Sequence, residues 1–190
     1  MRFDGIHTPA ITPHREDGSI DHDAFVTHLE RLIAAGVHGI INGGSTGEYY
    51  AQSMEERLEL ATLAREVTKG RVQLMVGTVA IRLEDSLIMA EHAAKIGADS
   101  ILVGSPPYSV PTERENALNA LAIDRAADLP IMLYNYPGRM GINMGEEFLD
   151  RHVGQAGRRL DVHGAAGVDG REIGAVENLR QAELHHEHRV

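Results

Sequence analysis

A strand–helix repeat constrains this chain more than any other feature. Five short apolar runs recur along it, at residues 5–12, 37–42, 72–77, 100–104 and 130–135. They are rich in Ile, Val and Leu with little polar alternation, as expected of parallel strands covered on both faces. Between them lie stretches with helical periodicity. The first, residues 21–35, places Phe25, Leu29, Leu32 and Ile33 on one stripe, and Gly36 ends it. The second opens with Ser53-Met54-Glu55-Glu56, a capping-box pattern, and offers Leu60, Leu63, Ala64 and Val67 to a core. The third covers residues 83–96 with Gly97 as its stop, and the fourth covers residues 113–127 before Pro130 opens the next strand.

Such an alternation folds as an α/β protein, either an open doubly wound sheet or a (β/α) barrel, and periodicity does not choose between them. Neither GxGxxG nor GxxxxGK[ST] follows the first strand, which weakens a nucleotide-binding reading. The polar signatures sit at the C-terminal ends of several strands, where a barrel places its active site.

Composition sets outer bounds. With 43% hydrophobic residues in 190, the chain is long and apolar enough for one globular domain. It has no cysteine, so neither a disulfide framework nor a cysteine zinc site is available, which suits a reducing cytoplasm. The net charge of -10 disfavours nucleic-acid or anionic-membrane partners. No window approaches the roughly 20 apolar residues of a membrane span, and the N-terminus lacks the pattern of a signal peptide.

Three segments carry chemistry. Gly43-Gly44-Ser45-Thr46-Gly47-Glu48 ends the second strand. Its glycines let backbone approach a ligand, and hydroxyls and N–H groups there suit a carboxylate or phosphate; an ordinary strand-to-helix turn is the bland alternative. Ser105-Pro106-Pro107-Tyr108 ends the fourth strand, with two prolines stiffening the loop that aims Tyr108, a packing tyrosine being the commoner reading of that segment alone. Leu133-Tyr134-Asn135-Tyr136-Pro137-Gly138-Arg139-Met140-Gly141 ends the fifth. It supplies a phenol able to relay a proton and a guanidinium able to hold a carboxylate bidentately, where the alternative is an exposed loop arginine. Elsewhere, Glu55, Glu56 and Glu59 read as a solvated helix face, and His185, His186 and His188 as a polar tail rather than a metal site.

Taken together and in order, these segments resemble the dihydrodipicolinate synthase / N-acetylneuraminate lyase family. GSTGE is similar to that family's GTTGE, residues 134–141 to its YNxPxRxG, and Gly5-Ile6-His7-Thr8-Pro9-Ala10-Ile11-Thr12-Pro13 to its first strand. The likeness runs from about Phe3 to about Arg151, leaving residues 152–190 as a divergent segment. It implies a (β/α)8 barrel of which five to six units are present, usually assembled as a homotetramer. It implies Schiff-base chemistry on pyruvate or a related 2-keto acid with an aldehyde partner, and neither cofactor nor metal, because the Schiff base is the electron sink. By position Ser45 and Thr46, flanked by Gly44 and Gly47, match the pair that meets the pyruvate carboxylate, with Ser45 also in the proton relay. Tyr134 matches the general acid/base. Tyr108 matches a relay tyrosine that many members take from a neighbouring subunit. Arg139 matches the arginine that holds a second carboxylate in the synthases, which tilts the likeness away from sialic-acid cleavage.

One departure is serious. The family's nucleophilic lysine belongs to a sixth strand, which here would fall near residues 160–165, and no lysine occurs there. The chain's two lysines are Lys69 and Lys95, each just before a strand and so on the face opposite a barrel's catalytic end. Arginine cannot replace the amine, because a guanidinium stays protonated. A complete barrel takes about 250 residues. The expectation is therefore an incomplete, truncated or frame-shifted barrel without Schiff-base chemistry. A strand near residues 160–163 and a helix near residues 172–184 are its weakest expected elements.

Overall fold

A computed structural model describes residues 4–145 and Phe148. Five strands, β1 (His7–Pro9), β2 (Gly39–Asn42), β3 (Gln73–Gly77), β4 (Ser100–Gly104) and β5 (Ile131–Tyr134), form one parallel sheet in the order β1-β2-β3-β4-β5. Four helices connect them: α1 (His22–Ala34), α2 (Met54–Thr68), α3 (Leu83–Ile96) and α4 (Glu113–Ala127). The strand order resolves the choice that periodicity left open. A doubly wound sheet reverses its order at a switch point and carries helices on both faces. Here the order never reverses, and right-handed crossovers place every helix on the same side. The sheet curls into a half-barrel, a partial TIM barrel.

Side-chain alternation follows from that curl. Ile40, Leu74, Val76, Ile101, Val103, Ile131 and Leu133 face outward, buried against Phe25, Leu29, Leu60, Met89, Ala93 and Ile123 of the helices. Each fully buried Leu or Ile contributes about 1.5–3 kcal/mol by leaving water. The inward face carries Met75 and Leu102, with Ile41, Met132 and Tyr134 packed on them and only partly covered. Among the described residues β1 and β5 are the two edges of the sheet.

Local chemistry sets the boundaries. Asp21 caps α1 by accepting from Ala24 N at 2.9 Å. The Ser53–Glu56 capping box at α2 forms in both directions, and a second box, Thr112 with Glu115, starts α4. Two differences from the sequence expectation stand out. The first strand shrinks to His7–Pro9, because Pro9 offers no N–H to a ladder and, among the described residues, β1 has a neighbour on one side only. The segment after β5, expected as a loop, contains a short helix, α5 (Pro137–Met140), with Pro137 in its first turn. The strand and helix expected near residues 160–163 and 172–184 lie outside the described residues, as do the histidines of the tail.

Candidate active site

The C-terminal ends of the strands gather the loops that carry polar side chains. After β2 the chain turns at Gly43, which adopts φ +74, and passes through Gly44 into two consecutive 3-10 turns, Ser45–Gly47 and Tyr49–Ala51. Glu48 joins them in the left-handed region at φ 57, strain that a non-glycine residue tolerates only when its surroundings hold it. The surroundings are specific. A Cβ on Gly47 would lie 2.9 Å from Ala10 O, so the loop rests on backbone just past β1 and only glycine fits. The Gly47 carbonyl accepts from Thr12 Oγ1 at 2.8 Å and from Gln52 Nε2 at 2.8 Å. Gln52 Nε2 also donates to Thr12 Oγ1 at 3.1 Å. These bonds leave Ser45 half-buried and Thr46 exposed at the mouth.

Beneath the loop lies a buried arginine. Arg57, on α2 and 6% exposed, donates from Nη2 to Gly77 O at 3.3 Å and Val79 O at 3.1 Å. Its guanidinium lies 5.2 Å from the centroid of the Tyr49 ring. Burial lowers the Arg57 pKa, while Tyr49 and Asp85 oppose the shift; arginine's high starting value keeps it charged. Burial raises the Tyr49 phenol, opposed by Arg57 and reinforced by Tyr134 and Tyr50, so Tyr49 stays a protonated donor at neutral pH.

On the far edge, Tyr134 is the last residue of β5, in register with Gly104, and faces the interior. The next residue closes the loop that follows. Asn135 Nδ2 donates to Asn143 Oδ1 at 3.0 Å and Met144 O at 3.2 Å, and its Oδ1 accepts from Met144 N at 3.0 Å. Inside this staple α5 presents Arg139, which is exposed and stacks 5.7 Å from the Tyr136 ring centroid. Tyr136 in turn lies 6.2 Å from Tyr134.

Most sequence-predicted residues therefore come to one end of the half-barrel: Gly44, Ser45, Thr46 and Gly47 after β2, and Tyr134 and Arg139 at and after β5. Tyr108 stands apart. Its loop leaves β4 at the same end, but the side chain is 95% exposed and the residue has φ 72. Lys69 caps the C-terminus of α2 and Lys95 lies in the last turn of α3, both exposed and both at the opposite end. Among the described residues no group of three or more His, Asp or Glu side chains is placed to hold a metal ion. Sequence reasoning missed Thr12, Gln52, Tyr49 and Arg57. For Arg57 a signal existed: it shares helical spacing with Leu60, Ala61, Ala64 and Thr68, so it is a charge on the buried stripe of α2.

A singly wound parallel sheet with its polar groups collected at the strand C-termini is the architecture of a partial TIM barrel. The chain belongs to the dihydrodipicolinate synthetase family, whose model matches residues 2–154. It is 36% identical over 149 residues to the 4-hydroxy-tetrahydrodipicolinate synthase of Leptospira biflexa serovar Patoc, covering 78% of this chain and 50% of that protein. The 4-hydroxy-tetrahydrodipicolinate synthase structure from Methylacidiphilum fumariolicum SolV superposes with a TM-score of 0.80 at 31% identity, covering 87% of this chain and 55% of that one. A prophage protein of the same family from E. coli K12, solved in complex with pyruvate, gives a TM-score of 0.77 at 29% identity, over 80% and 51% of the two chains. A sialic acid aldolase from Ruminococcus gnavus, at 22% identity and a TM-score of 0.80, shares the fold. The chain spans about half the length of the relatives it matches.

Proposed function

We propose that this chain carries the keto-acid-binding part of a dihydrodipicolinate synthase-like lyase site in the cytoplasm, and that it binds pyruvate or a related 2-keto acid without forming a Schiff base. The observation that carries the reading is the convergence of the Ser45–Thr46 turn, Tyr134 and Arg139 at one end of a half-barrel of this family. In this reading Ser45 and Thr46, with the close backbone approach that Gly44 and Gly47 allow, receive the keto-acid carboxylate. Tyr134 is the general acid/base, Tyr108, exposed on its loop, serves the proton relay of a neighbouring subunit, and Arg139 receives the carboxylate of the aldehyde partner by bidentate hydrogen bonds.

The covalent step needs an amine. Its attack on the keto carbon with loss of water makes the iminium that stores the electron pair of the new carbanion. Both lysines of the sequence lie at the opposite end of the strands, so the chain as written supplies binding and proton transfer but no electron sink. Calorimetry with pyruvate, followed by borohydride reduction and intact mass measurement, tests both halves of the proposal. The expected result is heat of binding with no mass added. A covalent adduct would show the chain to be a competent lyase, and absence of heat would remove the binding claim.

The two edges that the sheet has among the described residues support a second reading, an assembly protein that lends its strands to a longer relative. Co-elution with a full-length synthase on size exclusion supports it, and separate elution counts against it.

A further inference from the structure

We infer that Arg57 is a positioning residue that holds the Ser45–Ala51 loop in its site-forming shape through Tyr49. For the identity of the ligand this rests on the keto-acid reading above; for the loop itself it rests on geometry alone. Arg57 grows from α2 in the helical layer, yet the groups it engages lie at the catalytic end. Its Nη2 donates to Gly77 O, at the last residue of β3, and to Val79 O just beyond. Its guanidinium carbon lies over the Tyr49 ring, 5.2 Å from the centroid, in the second 3-10 turn of the β2 loop. One buried cation thereby ties the end of β3 to the loop after β2.

The chemistry suits positioning better than packing. A guanidinium loses hydration on burial, and an apolar side chain of the same volume would fill the space without that cost. What the arginine adds is direction. Its Nη2 holds two carbonyls at once while its planar face attracts an aromatic quadrupole; lysine offers a point charge and no plane. Tyr49 needs such a hold, because the Glu48 before it sits in the left-handed region. A loop released there would relax away from the Ser45–Thr46 geometry.

Four amides report on the loop directly: Gly47 N donates to Gly44 O, Glu48 N to Ser45 O, Ala51 N to Glu48 O and Gln52 N to Tyr49 O. Hydrogen exchange of these amides, measured on the full chain, is the test. Arg57→Met and Tyr49→Leu are expected to speed their exchange by about tenfold relative to amides of β3. Tyr49→Phe keeps the ring and stays within about twofold of the unaltered chain, and Arg57→Lys falls between. Arg65→Met is the control for a merely structural role, since Arg65 lies on the same helix but pairs with Asp99 before β4. It should lower the melting temperature without selective loosening of the loop. Pyruvate affinity by calorimetry should weaken in the same order as exchange speeds up.

Uniform exchange in both Tyr49→Leu and Arg57→Met, or equal loosening in Arg65→Met, overturns the inference. Selective loosening in a chain that binds no pyruvate leaves Arg57 as the loop's positioning residue and removes only the keto-acid reading.

Discussion

Replacing Gly77 by alanine tests how closely the site loop rests on the sheet. A Cβ at Gly77 would lie 2.3 Å from Gly43 O, 2.7 Å from Gly43 C and 3.2 Å from Asn42 O. These are backbone atoms, so no side chain can swing aside. Restoring ordinary contact requires the β2 loop to lift by about 1 Å, and close packing makes such a shift costly. That movement strains the adjacent Asn42–Val76 pair of the β2–β3 ladder. Overpacking of this kind costs about 1–3 kcal/mol and a weakened ladder bond about 1 kcal/mol. The lower entropy of an unfolded chain with alanine returns about 0.4–1 kcal/mol. The expected net loss is about 2–3 kcal/mol, which urea unfolding would read as a midpoint lower by about 1–1.5 M for a slope near 2 kcal/mol/M. Two neighbouring glycines calibrate the result. Gly44 has φ -81 and its added Cβ would meet nothing nearer than Ile41 Cγ2 at 3.9 Å, so Gly44→Ala should change stability by less than about 0.5 kcal/mol. Gly43 has room but φ +74, so Gly43→Ala should cost about 1–2 kcal/mol. Equal midpoints for Gly77→Ala and Gly44→Ala would refute the close approach on which the site geometry rests.

Two further outcomes follow from the helical layer. His92 Nε2 sits 3.0 Å from Leu58 O and 2.8 Å from Thr62 Oγ1. Burial, aided by Lys95 and opposed by the Leu58 carbonyl, holds its pKa below 6.5, and burial with Arg31 does the same for His28. The unfolded chain therefore binds more protons than the folded one as pH falls through 6.5 and below, so these groups make stability rise with pH there and level off above. Urea midpoints between pH 5 and 7.5 should show that slope, and His92→Gln should reduce it; an unchanged slope would exclude His92 as a source. Asp99 Oδ2 accepts from Leu74 N at 2.8 Å and Arg65 Nη1 at 3.0 Å, tying β3, β4 and α2 together at the αβ end. Asp99→Asn removes the charge from both bonds and should cost about 1–2 kcal/mol in urea unfolding, and a loss below about 0.3 kcal/mol would show the tie to be incidental.

The elements were legible where punctuation and periodicity agreed. α3 and α4 begin and end where the sequence places them, with Gly97 closing the first of these helices in the left-handed conformation. Strand order was not legible, because an apolar run reports burial and not which strand lies beside it. The Gly43–Glu48 segment was recognisable as a tight turn at a strand's C-terminal end, but not the bonds that hold it. Thr12 and Gln52 reach Gly47 across 35 and 5 residues of sequence, respectively. No local pattern encodes the longer of those separations. Arg57 was overlooked because charge on a helix is read as surface; its place on the buried stripe was the contrary sign.

The two halves of the proposed site differ in how they are supported, and this bears on what the chain can do alone. The loop after β2 is held by Thr12 following β1, by Gln52 and Arg57 at the entry to α2, and by backbone at the end of β3. Among the described residues those supports all lie between β1 and the residues just after β3, so the shape of this loop is set by the front part of the chain. Tyr134 is different: among the described residues it occupies an edge strand, and its neighbourhood is closed by the Asn135 staple to Asn143 and Met144. Neither lysine can bridge the remaining gap. Lys95 precedes β4, whose five residues rise by about 16 Å at roughly 3.3 Å each, while a fully extended lysine side chain reaches about 6 Å. A keto acid held at the loop would thus meet a carboxylate cradle and a phenol but no amine, which is why the borohydride experiment separates binding from chemistry.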